Sequence, residues 1–288
     1  MANHMNDPLH SDENQPATAL VAAFSRLRAL PRDWLSCLAF FTRLPVSPPS
    51  EQPADMARSS HMFPATGLIV GGIGSLVLAA AWLLGLPVMA VSVLAVTAMI
   101  LATGALHEDG LADMVDGFGG GRDRKRKLEI MKDSHIGTYG VLALILSQGL
   151  RISLLGALIS AGPVVAMTAL TGAAVASRAA SMVLWSALPP ARNDGLSRTA
   201  GQPDRAALAL AMTMTLIVLP ALLWWSTGPA ALVIAGLASG FSVCLMIILS
   251  RHQIGGQTGD TIGAAQQIGE LAFMAGLLMS VANIVDLT

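Results

Sequence analysis

The run FPATGLIVGGIGSLVLAAAWLLGL, from Phe63 to Leu86, contains no charged residue and is long enough to cross a membrane. About 20 mostly apolar residues in helical conformation span the hydrocarbon core of a bilayer. A surface helix of a soluble protein carries a charged or polar face toward solvent, and this run has no charged residue to supply one. The run therefore predicts a transmembrane helix and a membrane-embedded fold.

The composition of the whole chain points the same way. Of its 288 residues, 53% are hydrophobic and 12% are charged, against about 25% charged residues in soluble proteins. The formal net charge of -1 provides no basic field, so nucleic acid is not expected as a partner. We expect residues 1–19 to form a disordered polar tail and residues 20–288 to form a single transmembrane catalytic domain.

Six further apolar runs are similar to the first in length. The seven candidate spans are Phe63 to Leu86, Pro87 to Leu106, Thr138 to Ile159, Pro163 to Leu188, Ala206 to Ser226, Pro229 to Ser250 and Ile268 to Val285. We therefore predict an all-α, polytopic membrane bundle of about seven transmembrane helices. A shorter apolar segment, Trp34 to Val46, ends near Pro45 and is expected to lie at the interface or to re-enter the membrane.

The connections between the spans are of two kinds. Three are short, uncharged turns built on glycine and proline: Gly85 to Pro87, Ser160 to Pro163 and Thr227 to Pro229. Three are longer, polar and rich in arginine and lysine: Leu106 to Thr138, Pro189 to Arg205 and Arg251 to Gln267. Alternation through seven spans puts the three polar connections on one side of the membrane. The positive-inside rule assigns that side to the cytoplasm.

The first polar connection opens with HEDGLADMVDG, from His107 to Gly117, which carries three aspartates at helical spacing. Asp109, Asp113 and Asp116 lie at i, i+4 and i+7, which places them within about 60° of arc on a helix. Carboxylates this close repel one another unless a cation lies between them. Carboxylate oxygens are preferred ligands of Mg²⁺, and a site with few of them leaves coordination positions for phosphate oxygens. We therefore predict a Mg²⁺ site on this face. We expect the glycines that follow two of these aspartates to admit the substrate.

Other polar groups of the same side are further candidates. Lys132, Asp133 and Ser134 lie at the mouth of the third span: Lys132 and Ser134 are candidate substrate-binding residues, and Asp133 is a candidate metal ligand or base. His107 either takes part in the site or serves as a structural hydrogen-bonding group. Arg178, inside the fourth span, either reaches the membrane surface with its charged end or binds phosphate. In the second polar connection Arg192 and Arg198 are plausible anion contacts.

The third polar connection contains GGQTGDTIGAAQQIGE, from Gly255 to Glu270. A backbone rich in glycine can wrap phosphate, which makes Gly255, Gly256, Thr258 and Gly259 candidate substrate-binding residues. Asp260 is the acid of this segment that can join a metal site. A flexible connector is the alternative, because no lysine of the Walker type follows the glycines.

Five segments together are similar to those of cobalamin synthase, the adenosylcobinamide-GDP ribazoletransferase family. They are FFTRLP (Phe40 to Pro45), FPATGLIVG (Phe63 to Gly71), HEDGLADMVDGFGGG (His107 to Gly121), IMKDSHIGTYG (Ile130 to Gly140) and GGQTGDTIGA (Gly255 to Ala264). They occur in the family's order and are distributed over most of the chain, from Phe40 to Ala264. The aspartate motif followed by the KDS segment carries most of the specificity of the resemblance.

The resemblance implies an enzyme of the bacterial inner membrane that acts in the last steps of cobalamin biosynthesis. Such an enzyme joins adenosylcobinamide-GDP to α-ribazole, or to α-ribazole 5'-phosphate, with Mg²⁺ and releases GMP. Asp109, Asp113, Asp116 and Asp260 match the acids expected to bind the metal. Asp133 or His107 would assist deprotonation of the attacking hydroxyl, with arginine or lysine side chains on the phosphate. Membrane lipid is an expected partner, and a homo-oligomer is left open.

Other classes of protein share parts of this pattern. A CDP-alcohol phosphotransferase also uses spaced aspartates and Mg²⁺, but the Ala-Arg pair of that family does not follow the Asp-Gly pair here. A secondary transporter places its acids near the middle of the bilayer, often with repeat symmetry, whereas these acids collect at one surface. A structural scaffold would not need acids and glycines concentrated on one side.

Overall fold

A computed structural model describes residues 29–47 and 56–285 of the chain. The polar tail predicted for residues 1–19 lies outside these residues, and the division into a tail and one catalytic domain, residues 20–288, stays a prediction. Within the described ranges the chain is helical, with an isolated β-bridge between Pro190 and Gln257 and no strand. The predicted all-α fold is confirmed.

The described chain folds into helices of very different length. They are α1 (residues 29–41), α2 (Met56–Ser59), α3 (Phe63–Leu83), α4 (Val88–Thr103), α5 (Leu106–Gly120), α6 (Arg124–Ile130), α7 (Thr138–Ala161), α8 (Pro163–Ala187), α9 (Leu196–Thr199), α10 (Arg205–Ile254) and α11 (Gly259–Val285). A single 3-10 turn, Ser60–Met62, joins α2 to α3. Proline lies in the first turn of α3 and of α8, where its missing N–H breaks no helical hydrogen bond.

Five helical segments of the described residues are long and apolar enough to cross a membrane. They are Met56–Leu83, α7, α8, α10 and the Gly259–Ser280 part of α11, and a sixth results if α4 and α5 count as one span. The predicted count of seven is therefore not confirmed. Part of the difference lies in α10, whose 50 residues would extend about 75 Å, more than twice the hydrocarbon thickness. Its backbone is broken at Gly228 (φ 78°), at the turn predicted between two separate spans.

The two halves of α10 run back along α8. Ala207, near the start of α10, shares an apolar cluster with Trp185, and Met246, near its end, shares one with Leu184. Both ends of α10 thus pack near the last turn of α8. The middle of α10 packs near the first turns of α8, where the hydroxyl of Ser226 lies 2.8 Å from a threonine hydroxyl. The chain therefore reverses direction at the break.

A bend of 88° separates α4 from α5. Gly104 and Ala105 form the bend with φ values of 64° and 58°, and the side chain of Arg43 packs over Gly104. α5 by itself is not among the five segments long and apolar enough to cross a membrane. It runs beside α7, from Glu108, which pairs with Arg151, to Asp116, which binds the start of α7. The span predicted from Pro87 to Leu106 ends earlier than expected, since α4 stops at Thr103.

The third polar connection is much shorter than predicted. Only residues 255–258 separate α10 from α11, whereas the sequence predicted a connection from Arg251 to Gln267. Thr258 and Thr261 close the first turn of α11 reciprocally: each backbone N–H donates to the other residue's hydroxyl, at 2.9 and 3.3 Å. Such paired capping allows a helix to begin in a polar segment that composition alone marks as a loop.

The central helix of the bundle is α8, which contacts α3, α7, α10 and α11. More than half of its residues are alanine, serine, threonine or glycine, and small residues let membrane helices approach closely. At Gly67 of α3, a Cβ atom would lie 2.8 Å from the Cα atom of Val175. Large apolar side chains face outward instead: Leu216, Trp225 and Phe241 are 73%, 91% and 66% exposed. An apolar exterior of this kind is expected of a multi-pass membrane protein.

Candidate active site

The three polar connections meet at one end of the bundle. The N–H of Ala191 donates to the carbonyl of Gln257, and the N–H of Gln257 donates to the carbonyl of Pro189, both at 2.8 Å. Lys132 forms an ion pair with Asp194, which joins the first connection to the second. The prediction that these connections share one side of the protein is confirmed.

A cavity of about 250 Å³ lies at this end. Part of its lining is apolar and includes Phe40, Phe41, Met56, Phe63, Leu106, Trp185 and Ile262. The other part is polar and includes His107, Asp109, Arg178, Arg192, Asp194, Thr258 and Asp260. Acids from α5 and α11 therefore meet arginines from α8 and from the second polar connection around one cavity.

The three aspartates of α5 share a helix face, as predicted, but have different surroundings. Asp109 lines the cavity. Asp116 is buried, and its two carboxylate oxygens accept hydrogen bonds from the N–H groups of Gly137 and Gly140, at 2.7 and 2.8 Å. A Cβ atom at either glycine would collide with that carboxylate. Asp116 thus anchors the start of α7. It lies two helical turns beyond Asp109 on the same helix.

Asp113 lies between the other two aspartates and is partly exposed. Burial, followed by the negative charges of Asp109, Asp260 and Asp116, raises the pKa of its carboxyl to about 7. This is the electrostatic condition that a bound cation relieves, because a cation favours the ionised form of each carboxyl.

The residues present fit a divalent cation that is completed by its substrate. Within residues 29–47 and 56–285, no group of three or more His, Cys, Asp or Glu side chains is arranged to hold a metal ion by itself. Mg²⁺ is, however, usually held by one or two carboxylates, waters and substrate phosphates. Asp109 and Asp113 have the right chemistry for this role, with Asp260 close enough to raise the pKa of Asp113. The metal assignments, including that of Asp116, stay predictions.

Asp260 occupies the first turn of α11 and is held from two sides. Arg192 Nη2 lies 2.9 Å from its Oδ2 atom, and the hydroxyl of Thr258 donates to the same oxygen at 3.2 Å. Arg192 lines the cavity as the sequence suggested for an anion contact, whereas Arg198 does not. The site thus balances one of its acids with an arginine from another connection.

The glycines near the site mainly allow protein segments to approach one another. Gly255 ends α10 with a φ of 72°, and a Cβ atom at Gly256 would collide with the carbonyl of Pro189. Gly110 lines the cavity, but a Cβ atom there would also lie 3.0 Å from the carbonyl oxygen of Asp260. A Cβ atom at Gly117 would collide with Met131 of the α6 end, so this glycine serves helix packing and not substrate access.

The remaining candidates divide between the cavity and the surface. Thr258 and Gly259 line the cavity, and so does His107, whose ring stacks on Phe41 with centroids 5.8 Å apart. Asp133 is exposed, and its hydrogen bonds with the ring Nδ1 of His135 (2.8 Å) and then with the backbone N–H of His135 (3.0 Å) lower the pKa of its carboxyl. Asp133 and the exposed Ser134 do not line the cavity. Their proposed roles remain untested predictions.

Arg178 is the buried cation of the cavity. Its side chain lies in α8, 2% exposed, and its Nη1 atom donates to the carbonyl of Ala174 at 2.9 Å. Its Nε atom has no hydrogen-bond partner within the part of the chain that the structure describes. A guanidinium that keeps unused donors beside a cavity is suited to bind an anionic oxygen.

A buried charge network behind the cavity was not predicted as a unit. Arg151 of α7 pairs with Glu108 of α5 (Nη1 to Oε1, 3.3 Å) and with Glu270 of α11. Gln266 donates to Glu270 at 2.7 Å, and Gln267 donates to Glu108 at 3.1 Å. The signal was present in the sequence, because charges inside membrane spans are costly and occur in pairs. Pairing partners on three different helices could not be read from spacing.

Comparisons with known proteins agree over most of the chain. A family model described as cobalamin-5-phosphate synthase matches residues 33–278. A protein of Azorhizobium caulinodans is 46% identical over 253 residues, which cover 85% of this chain and 94% of the relative. A protein of Bradyrhizobium diazoefficiens is 43% identical over 258 residues, which cover 88% and 96%. Both relatives are named adenosylcobinamide-GDP ribazoletransferase. No solved structure matches the chain significantly.

Proposed function

The chain belongs to the cobalamin-5-phosphate synthase family, and we propose that it is an adenosylcobinamide-GDP ribazoletransferase whose reaction takes place in the cavity between α1, α5, α8 and α11. The substrates are adenosylcobinamide-GDP and α-ribazole or its 5'-phosphate. The products are adenosylcobalamin or its 5'-phosphate, and GMP.

One observation carries the assignment of the reaction to this cavity. Asp109 from α5 and Asp260 from α11, which are far apart in sequence, line the same space as Arg178 and Arg192. Phosphoryl transfer depends mainly on positioning and on stabilising the charge of the phosphoryl group. Acids able to hold a cation, next to arginines able to hold phosphate oxygens, supply both requirements.

The chemistry is a displacement at phosphorus. A ribose hydroxyl of α-ribazole attacks the phosphorus bonded to the cobinamide, and a new O–P bond forms. The bridging P–O bond of the diphosphate breaks, and GMP leaves with that electron pair. The hydroxyl proton passes to a base, while the phosphorus stays attached to the cobinamide in the product.

The residues that would hold Mg²⁺ are Asp109 and Asp113, with Asp260 as the third nearby carboxylate. When bound, the ion would neutralise charge that develops on the transferred phosphoryl group and on the departing GMP. Arg178 and Arg192 are suited to bind oxygens of the diphosphate, because both are cations on the lining of the cavity. The arginines and the ion would together balance the charge of the transferred phosphoryl group and of the departing GMP.

His107 is the better supported of the two candidate proton acceptors. It lines the cavity, and its ring is held by stacking on Phe41. Asp133 is exposed, and its carboxylate already contacts the ring of His135 at 2.8 Å. We therefore assign the proton of the attacking hydroxyl to His107. Replacement of His107 by Gln should lower kcat at least about 100-fold, while Asp133→Asn should retain most of the activity.

We further propose that the cavity end faces the cytoplasm from the bacterial inner membrane. Its support is the arginine and lysine content of the three polar connections, together with the positive-inside rule. A reporter domain fused at Arg198 should be cytoplasmic and one fused at Ala161 should be external. The reverse result would overturn this orientation. Membrane lipid would surround the outward apolar side chains, and a homo-oligomer stays an open expectation.

The decisive experiment is an assay of the purified protein in lipid nanodiscs. With adenosylcobinamide-GDP, α-ribazole and Mg²⁺, it should release GMP in a 1:1 ratio with the cobalamin product. A CDP-activated alcohol given in place of adenosylcobinamide-GDP should yield no CMP. Absence of GMP from a folded sample, under conditions in which a related ribazoletransferase is active, would overturn the proposal.

A further inference from the structure

The apolar part of the cavity is a connected set of aromatic rings. Phe41 and Phe63 meet edge to face with centroids 4.4 Å apart, and Phe63 stacks on Trp185 at 5.7 Å with 21° between the planes. The ring of His107 also stacks on Phe41, with 5° between the two planes. The exposed fractions of these side chains are only 2% to 7%. Residues of α1, α3, α5 and α8 therefore hold the rings in fixed orientations.

We infer that this aromatic part of the cavity is the binding site for the planar base of α-ribazole, and that neither guanine nor the corrin ring of the other substrate occupies it. The inference rests on the proposed function, since that function supplies the three candidate ring systems. Each of the three differs in size and in polarity, and the cavity can be compared with each.

Size excludes the corrin ring. The cavity of about 250 Å³ is slightly smaller than the roughly 300–1,000 Å³ of pockets that enclose drug-sized ligands. A nucleoside with one flat base is near this limit. A corrin macrocycle with its side chains is several times larger than such a base, so this cavity cannot enclose it, and the diphosphate is the part of that substrate expected at the polar lining.

Polarity separates the two remaining bases. The base of α-ribazole is a benzimidazole with two methyl groups, so its outer edge is hydrocarbon. Guanine presents several donors and acceptors, and burial without partners would cost free energy for each of them. The indole N–H of Trp185 already donates to the carbonyl of Gly201 at 3.0 Å, and the phenylalanines have no polar atoms. The aromatic lining thus favours the apolar base.

The same placement orients the nucleophile. The cavity that contains the rings is also lined by Asp109, Asp260 and Arg178. With its base among the rings, α-ribazole would extend its ribose toward this polar lining, where the diphosphate is expected. Binding of the base then positions the attacking hydroxyl, which is the contribution that oriented binding makes to a reaction between two substrates.

Steady-state kinetics on two mild variants test the inference. Phe63→Leu and Trp185→Phe should each raise KM for α-ribazole about tenfold, because contact between a base and an aromatic ring contributes on this scale. KM for adenosylcobinamide-GDP should change less than about twofold. The matched control is Trp225→Phe, on a side chain that is 91% exposed and outside the cavity. A rise confined to KM for adenosylcobinamide-GDP would assign the rings to guanine and overturn the inference.

A binding experiment on the unaltered protein avoids the question of whether a variant folds. Tryptophan fluorescence in nanodiscs is titrated with α-ribazole, with the riboside of unsubstituted benzimidazole, and with guanosine, in the absence of the second substrate. The expected order of affinity is α-ribazole, then the riboside without methyl groups, then guanosine, with at least about tenfold between first and last. Equal affinity for guanosine and α-ribazole, or competition between them at equal concentrations, would overturn the inference.

Failure of the base-binding site and failure of the proposed reaction give different results. Binding of α-ribazole without any release of GMP would support this site and contradict the proposed reaction. Release of GMP with an unchanged KM for α-ribazole in both variants would support the proposed reaction and contradict this site.

Discussion

Arg192 and Asp260 form an ion pair on the lining of the cavity, with Nη2 2.9 Å from Oδ2. The pair ties the second polar connection to the first turn of α11, and it brings a cation to a group of acids that includes Asp109 and Asp113. The charge of Arg192 acts on this group as a whole, since it also favours the ionised form of Asp113.

Replacement of Arg192 by Gln should separate substrate binding from metal binding. The variant loses a cation suited to hold the diphosphate, so KM for adenosylcobinamide-GDP should rise about tenfold or more. Metal affinity should not fall, because removal of the arginine removes a positive charge that repels the metal ion and pairs with Asp260. The control is Arg198→Gln in the same connection, on an exposed side chain outside the cavity. An unchanged KM in Arg192→Gln would contradict the anion-binding role.

Asp113→Asn should abolish turnover without unfolding the protein. The substitution removes a charged oxygen ligand from the predicted metal site, and we expect a loss of at least about 100-fold in GMP release. Because Asp113 is partly exposed and anchors no other element, the melting temperature in detergent should change little. Glu129→Gln, an exposed acid on α6, is the matched control. Full activity in Asp113→Asn would remove the metal role of this face.

Metal affinity should depend on pH in the direction set by Asp113. The pKa of its carboxyl is raised to about 7, so the group is largely protonated below that pH and ionised above it. Because a cation binds the ionised form, affinity for Mg²⁺ or Mn²⁺ should increase as the pH rises through about 7. Calorimetric titrations on either side of this pH measure the effect. Asp113→Asn should lose the dependence, and a dependence retained in that variant would assign it to another group.

Two glycines of α7 provide a matched test of the anchor made by Asp116. A Cβ atom at Gly140 would collide with the Asp116 carboxylate, whereas a Cβ atom at Gly149 would meet no atom within 4 Å. Gly140→Ala should destabilise the protein by about 1–3 kcal/mol, and Gly149→Ala should stabilise the helix by up to about 1 kcal/mol. Unfolding in detergent measures both. Equal effects would show that Asp116 does not fix the start of α7.

Arg151→Met should be among the most destabilising single changes in the chain. It leaves the carboxylates of Glu108 and Glu270 buried without their cation, and breaking a buried ion pair in this way costs about 3–5 kcal/mol. A triple variant with Glu108→Gln and Glu270→Gln in addition should recover much of the loss, since no unpaired charge remains. The free energy of unfolding measures both variants, and a triple variant no better than Arg151→Met would contradict the pairing.

Local patterns in the sequence were enough for the class of fold and for part of the site. Uncharged runs such as Phe63 to Leu86 predicted membrane helices, because the bilayer imposes a minimum apolar length on any span. The spacing of Asp109, Asp113 and Asp116 predicted a shared helix face, and α5 covers all three. The polar connections were predicted on one side by alternation alone, since each span moves the chain across the membrane.

Only the tertiary structure decided how these residues are used. It assigned Asp116 to the first amides of α7, joined Asp109 to Asp260 in one cavity, and placed Asp133 on the surface. The aromatic rings and the partners of Arg151 come from helices that are distant in the chain. Composition and periodicity are properties of one segment, whereas these contacts depend on how separate helices pack. Small residues let these helices approach closely: Gly67 of α3 lies against α8, and Gly110 of α5 lies against the start of α11.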